Sequence, residues 1–110
     1  MKCISVPKNV DAQSRLNYDE CLDDDLYEVY LSDEHFNTLD ETGVFTLLNK
    51  ELDINIDEYE DESIADAVMI LKARLLVEGM LNSNHSVLLE MLLSQIKKAE
   101  ESQTGVYFFF

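Results

Sequence analysis

The segment Gly-Val-Tyr-Phe-Phe-Phe, residues 105–110, constrains the fold more than any other stretch of this 110-residue chain. Gly105 interrupts the helical pattern before it, and the five residues that follow are aromatic or β-branched, the composition of a strand. A run so apolar and uncharged would pair with another molecule if its edges stayed bare. It therefore has to be paired with other strands and covered by helices. Lys2–Val6 reads as one partner, a short strand stopped by Pro7, which lacks an amide donor. In Leu52–Asp57 apolar and polar residues alternate strictly, the period of a half-buried strand. The stretch Leu26–Leu31, LYEVYL, fits a strand or a helix equally, as short apolar runs do.

Helices account for most of the remainder. Ser32 can cap one in which Phe36, Leu39, Leu47 and Leu48 recur at helical intervals, with Gly43 dividing it into two short helices. Ser63 and Asp66 have the spacing of a capping box for a helix over 64–80, and a second helix follows over 86–100 after the polar turn Asn-Ser-Asn-His. The first of these is apolar around most of its circumference, which places it in the middle of the protein; the second carries Leu88, Leu89, Leu92, Leu93 and Ile96 on one stripe. Residues 8–25 are polar and read as irregular. Together these imply one globular α+β domain over residues 1–110, with a small antiparallel or mixed sheet of strands near 2–6, 52–57 and 106–110 packed against about four helices.

Charge divides the chain unevenly. Residues 1–66 hold 19 Asp or Glu against 4 Lys or Arg, while residues 67–110 hold 4 of each, so the whole formal charge of −15 lies in the first three-fifths. Solubility alone requires a modest charge and no such one-sidedness, and the asymmetry points to an electrostatic partner. Phosphate contacts need clustered Lys or Arg, so direct binding of nucleic acid is disfavoured. An anionic membrane surface would repel the acidic part. The apolar run Val68–Leu81 is interrupted by Lys72, Arg74 and Glu78, and the N-terminal stretch lacks the apolar core of a secretory signal, so the expected location is the cytoplasm, with Cys3 and Cys21 reduced.

The acidic stretch LDINIDEYEDES, residues 52–63, invites a metal. Counted from Asp53, a calcium loop would use Asp53, Asn55 and Asp57, but its sixth position is Glu58 where a glycine is needed and its twelfth is Ile64, which offers no oxygen. His35 and His85 stand alone, without the spacing of metal ligands. The three glycines are scattered singly and form no phosphate-binding loop, no serine sits in a nucleophile elbow, and neither cysteine has an activating base nearby in sequence. The chain thus reads as a protein without catalytic residues, metal or cofactor, whose role is binding.

The binding surface expected is acidic and aromatic. Four of the five tyrosines lie in the acidic part, each within two residues of Asp or Glu. Tyrosines anchor interfaces, and carboxylates steer and register a basic partner. The candidate residues are Asp23, Asp24, Asp25, Tyr27, Glu28, Tyr30, Asp57, Glu58, Tyr59, Glu60, Asp61 and Glu62. In its 12.7 kDa size, its α+β pattern and the stretches DECLDDDLYEVY and NIDEYEDES, the chain resembles the small cytoplasmic immunity proteins of bacterial toxin systems, including those of contact-dependent growth inhibition. That resemblance implies a monomer that joins a basic cognate toxin domain, often a nuclease, in a tight one-to-one complex. Acidic phage inhibitors that mimic nucleic acid share this character, as does an acidic subunit of a larger assembly.

Overall fold

In a computed structural model, which describes residues 2–110, the chain is an α+β protein with a four-stranded antiparallel sheet and five helices. The strands are β1 (Lys2–Pro7), β2 (Leu26–Leu31), β3 (Glu62–Ile64) and β4 (Val106–Phe109). The helices are α1 (Val10–Asn17), α2 (Asp33–Glu41), α3 (Val44–Leu52), α4 (Ala67–Ser83) and α5 (Val87–Ser102). Across the sheet the order is β2-β1-β4-β3. The aromatic strand β4 is thus central, flanked by β1 and β3, and so it is paired as its bare edges required. LYEVYL resolves as a strand, and forms one outer edge.

Register follows from the apolar alternation. Ile4 pairs with Val29 on one side and Phe108 on the other, and Ile64 pairs with Val106. Ile4, Val6, Ile64, Val106 and Phe108 are fully buried under the helices. Phe36 of α2, Phe45 of α3, Phe108 and Phe110 form an aromatic cluster at one end of this face, with ring centroids 5.0–6.2 Å apart and mostly edge-to-face, the arrangement aromatic quadrupoles favour. The α5 helix is tied to the sheet by Gln95, whose amide donates to the carbonyls of Ile4 and Tyr27, both at 3.0 Å.

Ser32 caps α2 by accepting from the His35 amide, and Gly43 separates α2 from α3 as its position suggested, its φ of +86° lying in the left-handed region that suits glycine. Four expectations need correction. Residues 8–25 are not wholly irregular, because Asn9 accepts from the Ala12 amide at 2.8 Å and starts α1. The alternating stretch 52–57 is not a strand. Leu52 ends α3, Asp53 turns the chain with φ +54°, and the side chain of Asn49 takes both backbone groups of Ile56, at 2.7 and 3.1 Å. With its backbone satisfied by a side chain, this segment needs no neighbouring strand, yet Ile56 still reaches the core. The strand lies later, at Glu62–Ile64, so Ser63 belongs to β3 and Asp66 alone caps α4, accepting from the Val68 and Met69 amides. Finally, α4 is peripheral. It buries Ile70, Ala73 and Val77 against α3 and α5 while Val68, Leu71 and Leu75 face outward.

Candidate partner-binding face

A strand presents alternate residues to opposite faces, so the face away from the helices is built from Cys3 and Ser5 of β1, Glu28 and Tyr30 of β2, Ser63 of β3, and Tyr107 and Phe109 of β4. Pairing sets them in rows. Tyr30, Cys3 and Phe109 stand side by side in one, and Glu28, Ser5, Tyr107 and Ser63 in the next. The rings of Tyr107 and Phe109 stack at 6.3 Å. One end of this face is covered by α1, where the Tyr107 hydroxyl accepts from Gln13 at 3.2 Å and donates to Asn17 at 3.3 Å. The other end is open: Tyr30 is 57% exposed and Phe109 is half-buried. A shallow cavity of about 140 Å³ lies against the β3 edge, lined by Asp61, Glu62, Ser63, Tyr107 and Phe109.

The acidic residues singled out by sequence divide into two flanks of this face. At the β2 edge, Asp23 and Asp24 are exposed in the turn that leads into the strand, and Asp24 adopts a left-handed φ of +68°. Glu28 and Tyr30 share the open face, and the Tyr30 hydroxyl donates to Glu28 at 2.9 Å, which raises the phenol's pKa above its usual value by stabilising the protonated form. At the β3 edge, Glu58, Tyr59, Glu60 and Asp61 are exposed, but only Asp61 lines the outer-face cavity, whereas Glu58 and Tyr59 line a cavity on the helix side with Phe36, Asp40 and Phe45. The edge strands β2 and β3 are three strand spacings apart, about 14 Å. The acidic turns enter them at different ends, Asp23 and Asp24 just before Leu26 opposite Pro7 and Asp61 next to Glu62 opposite Phe108, so the two flanks lie further apart still. They do not form the single contiguous patch that their likeness in sequence suggested.

Four of the predicted contact residues are used mainly inside the protein. Asp25 is 7% exposed and receives a two-pronged ion pair from Arg15 of α1, at 2.7 and 2.8 Å, together with the Leu22 amide at 2.8 Å. These bonds, the guanidinium first, hold its pKa near 2, down from an ordinary 3.8. Tyr27 lies on the helix side of the sheet with the ammonium groups of Lys8 and Lys98 about 5 Å from its ring. Asp57 accepts from the amides of Tyr59 and Glu60, and the Tyr59 amide foremost lowers its pKa; its other oxygen accepts from Asn55. Glu62 accepts from the amides of Asn55 and Ser63. Asp57 and Glu62 therefore shape the acidic loop more than they offer charge to a partner.

Sequence reasoning missed the aromatic part of the face, Tyr107 and Phe109. The signal was present: in a strand where every residue is large and apolar, the odd positions cannot share the core with the even ones. Cys3, beneath this face, is a free buried thiol whose pKa is pushed up chiefly by burial, and Cys21 is free and exposed. Among the described residues no helix is long and apolar enough to cross a membrane. No protein-family model, curated protein or solved structure matches the chain.

Proposed function

We propose that this chain is a non-enzymatic binding protein that neutralises a basic protein, in the manner of a bacterial immunity protein acting on a cognate toxin nuclease. The observation that carries this reading is the outer face of the sheet, where Tyr30 and Phe109 stand at its open end with Glu28 on the β2 side and Asp61 on the β3 side, and Tyr107 stacks on Phe109 behind them. The strands contribute one lysine, Lys2, and it lies on the opposite face, paired with Asp33 at 3.1 Å. A basic surface is drawn in by the flanks, and a side chain at its centre stacks on the rings, which supply contact area at little entropic cost. Nuclease active sites are basic because they hold phosphates, so a cover for one has this polarity.

The test uses basic toxin nuclease domains as probes, with binding rates measured at low and moderate salt and nuclease activity read in parallel. Reversing Asp23 and Asp24, or Glu60 and Asp61, should slow association at low salt, and the difference should shrink as salt rises. Tyr30→Ala and Phe109→Ala should instead speed dissociation, since anchors act on that rate. Lys97→Glu, an exposed position on α5 behind the sheet, is the control. Unchanged rates and salt dependence in both sets of variants would make the acidic part a solvated surface and nothing more.

A further inference from the structure

The exposed side of α4 has no role in the face just described. Val68, Leu71 and Leu75 are 74%, 42% and 57% exposed, and with Gly79 they fall at intervals of three and four along one stripe of the helix. Gly79 is the informative residue. It sits inside a 17-residue helix, where glycine costs about 1 kcal/mol relative to alanine. Yet a Cβ built there would meet nothing within 4 Å, so packing within the chain gives no reason for its absence. A missing side chain on an exposed apolar stripe leaves room for something that approaches from outside.

The geometry points to a second copy of this chain as the occupant, with the two α4 helices antiparallel about a two-fold axis beside Leu75. Such an axis sets Leu75 against its own copy and Leu71 opposite Gly79, because these two lie four residues to either side of the centre. The leucine then fills the space that the glycine leaves. It also brings Lys72, which donates to the Glu51 carbonyl of its own chain, level with Glu78 of the second copy, which accepts from Arg74 of its own chain. With 1.5 Å rise per residue and helix axes about 8–9 Å apart, the opposite charges come about 8 Å apart at Cβ and the like charges about 10 Å, so the pair attracts. The charge map favours this side as well. With Lys72 and Arg74 against Glu78, α4 carries +1 and residues 67–110 carry zero, whereas contact through residues 1–66 would oppose the whole −15 to itself. Paired through α4, two copies keep their acidic flanks apart, and a one-to-one complex with a partner becomes two-to-two.

The experiment is sedimentation velocity of the full chain over a range of protein and salt concentrations. A dimer should appear as protein concentration rises, and should strengthen with salt, which screens the residual repulsion between two polyanions. Leu75→Glu should abolish it with the circular dichroism spectrum unchanged. Gly79→Leu should weaken it at least tenfold without harming the fold, since the new side chain has open space around it. In a Cys21→Ser background, Leu75→Cys should form a disulfide-linked dimer under mild oxidation, and Val87→Cys, 73% exposed but off the stripe, should not. A monomer under all conditions would overturn the proposal, as would a dimer indifferent to both Leu75→Glu and Gly79→Leu, or equal cross-linking at 75 and 87. Tyr30→Ala and Phe109→Ala leave the dimer intact, so its failure is distinguishable from failure of the binding face.

Discussion

On the helix side of the sheet, Ile4, Val6, Val106 and Phe108 are sealed from solvent, while on the other side Cys3 and Ser5 are covered chiefly by the rings beside them and by one short helix. The same strands produce both surfaces, and in β4 even the residue type is shared: Phe108 faces in and Phe109 faces out. What differs is the layer above. Toward the core lie four helices with apolar stripes; toward solvent lies α1, which contributes one fully buried side chain, Ala12. A large aromatic residue on the thinly covered face adds less to folding than one in the core, and the proposed contact with another molecule would give it a use.

The most direct way to break this comparison is to truncate the two neighbours in β4. Phe108→Ala should cost about 3–5 kcal/mol, the loss expected when a fully buried phenylalanine leaves a cavity. Phe109→Ala should cost about 1 kcal/mol, typical of a partly exposed site. Urea denaturation of the two variants measures both. Equal losses would mean that the outer face is a second core.

Next in size is Gly105→Ala, at the junction where β4 meets β3. A Cβ at this position would lie 2.8 Å from the Ile64 carbonyl oxygen and 2.9 Å from the Ala65 Cα, both backbone atoms of the neighbouring segment. Either β3 moves away or the strain remains, for a loss on the order of 1–3 kcal/mol. If the variant keeps wild-type stability, the β3 edge is looser than the register implies, and the cavity beside Phe109 is adaptable.

These two sites also show where the sequence was legible. The strand at 106–109 and the α+β class followed from aromatic residues that had to be paired and covered, whereas the order of strands, which makes it central, was not legible. The helix over 87–102 followed from its leucine stripe. The segment 52–57 misled because alternation records which side chains are buried and not what the backbone bonds to. Ile54 and Ile56 do pack inward, but Asn49 and the turn at Asp53 take the backbone away from the sheet. No local pattern announces an asparagine seven residues away. The α1 helix was overlooked because it has almost no apolar stripe, although Asn9 followed by Asp11 is a legible helix start. The exposed side of α4 was misread for the converse reason: an apolar circumference implied burial by the chain itself. At the outer face, sequence supplied the acidic residues and Tyr30 but could not tell that Asp25 would be consumed by Arg15, since that pairing depends on where α1 folds back.

That ion pair offers a pH-dependent test of how α1 is held over its end of the outer face. The folded pKa of Asp25 is depressed to about 2 from about 3.8, so its contribution is present above pH 4 and lost as pH falls from about 4 to 2. Arg15→Ala should lower the urea midpoint at neutral pH, and the gap to wild type should narrow over that acidic window. A gap constant down to pH 2 would show that Arg15 acts through packing and not through the Asp25 carboxylate.

The smallest effect on folding should come from Tyr30→Phe, which removes the hydrogen bond between the two exposed side chains of the outer face, and from Glu28→Gln, which removes the charge while leaving an amide oxygen that can accept from Tyr30. Neither partner is needed to seal the core, and water can replace the lost bond, so the urea midpoint should stay where it is. The phenol itself reports the contact. Glu28 raises the Tyr30 pKa by accepting its proton's hydrogen bond and by opposing the phenolate charge, so Glu28→Gln should bring the Tyr30 titration, followed by ultraviolet absorbance, back toward the ordinary value near 10. In complex with a basic partner the two substitutions should differ, because Tyr30→Phe keeps the ring that stacks while Glu28→Gln removes the charge that steers. A large stability loss from either would assign this pair to the fold, and the contrast between the two faces of the sheet would then rest on Phe109 and Tyr107 alone.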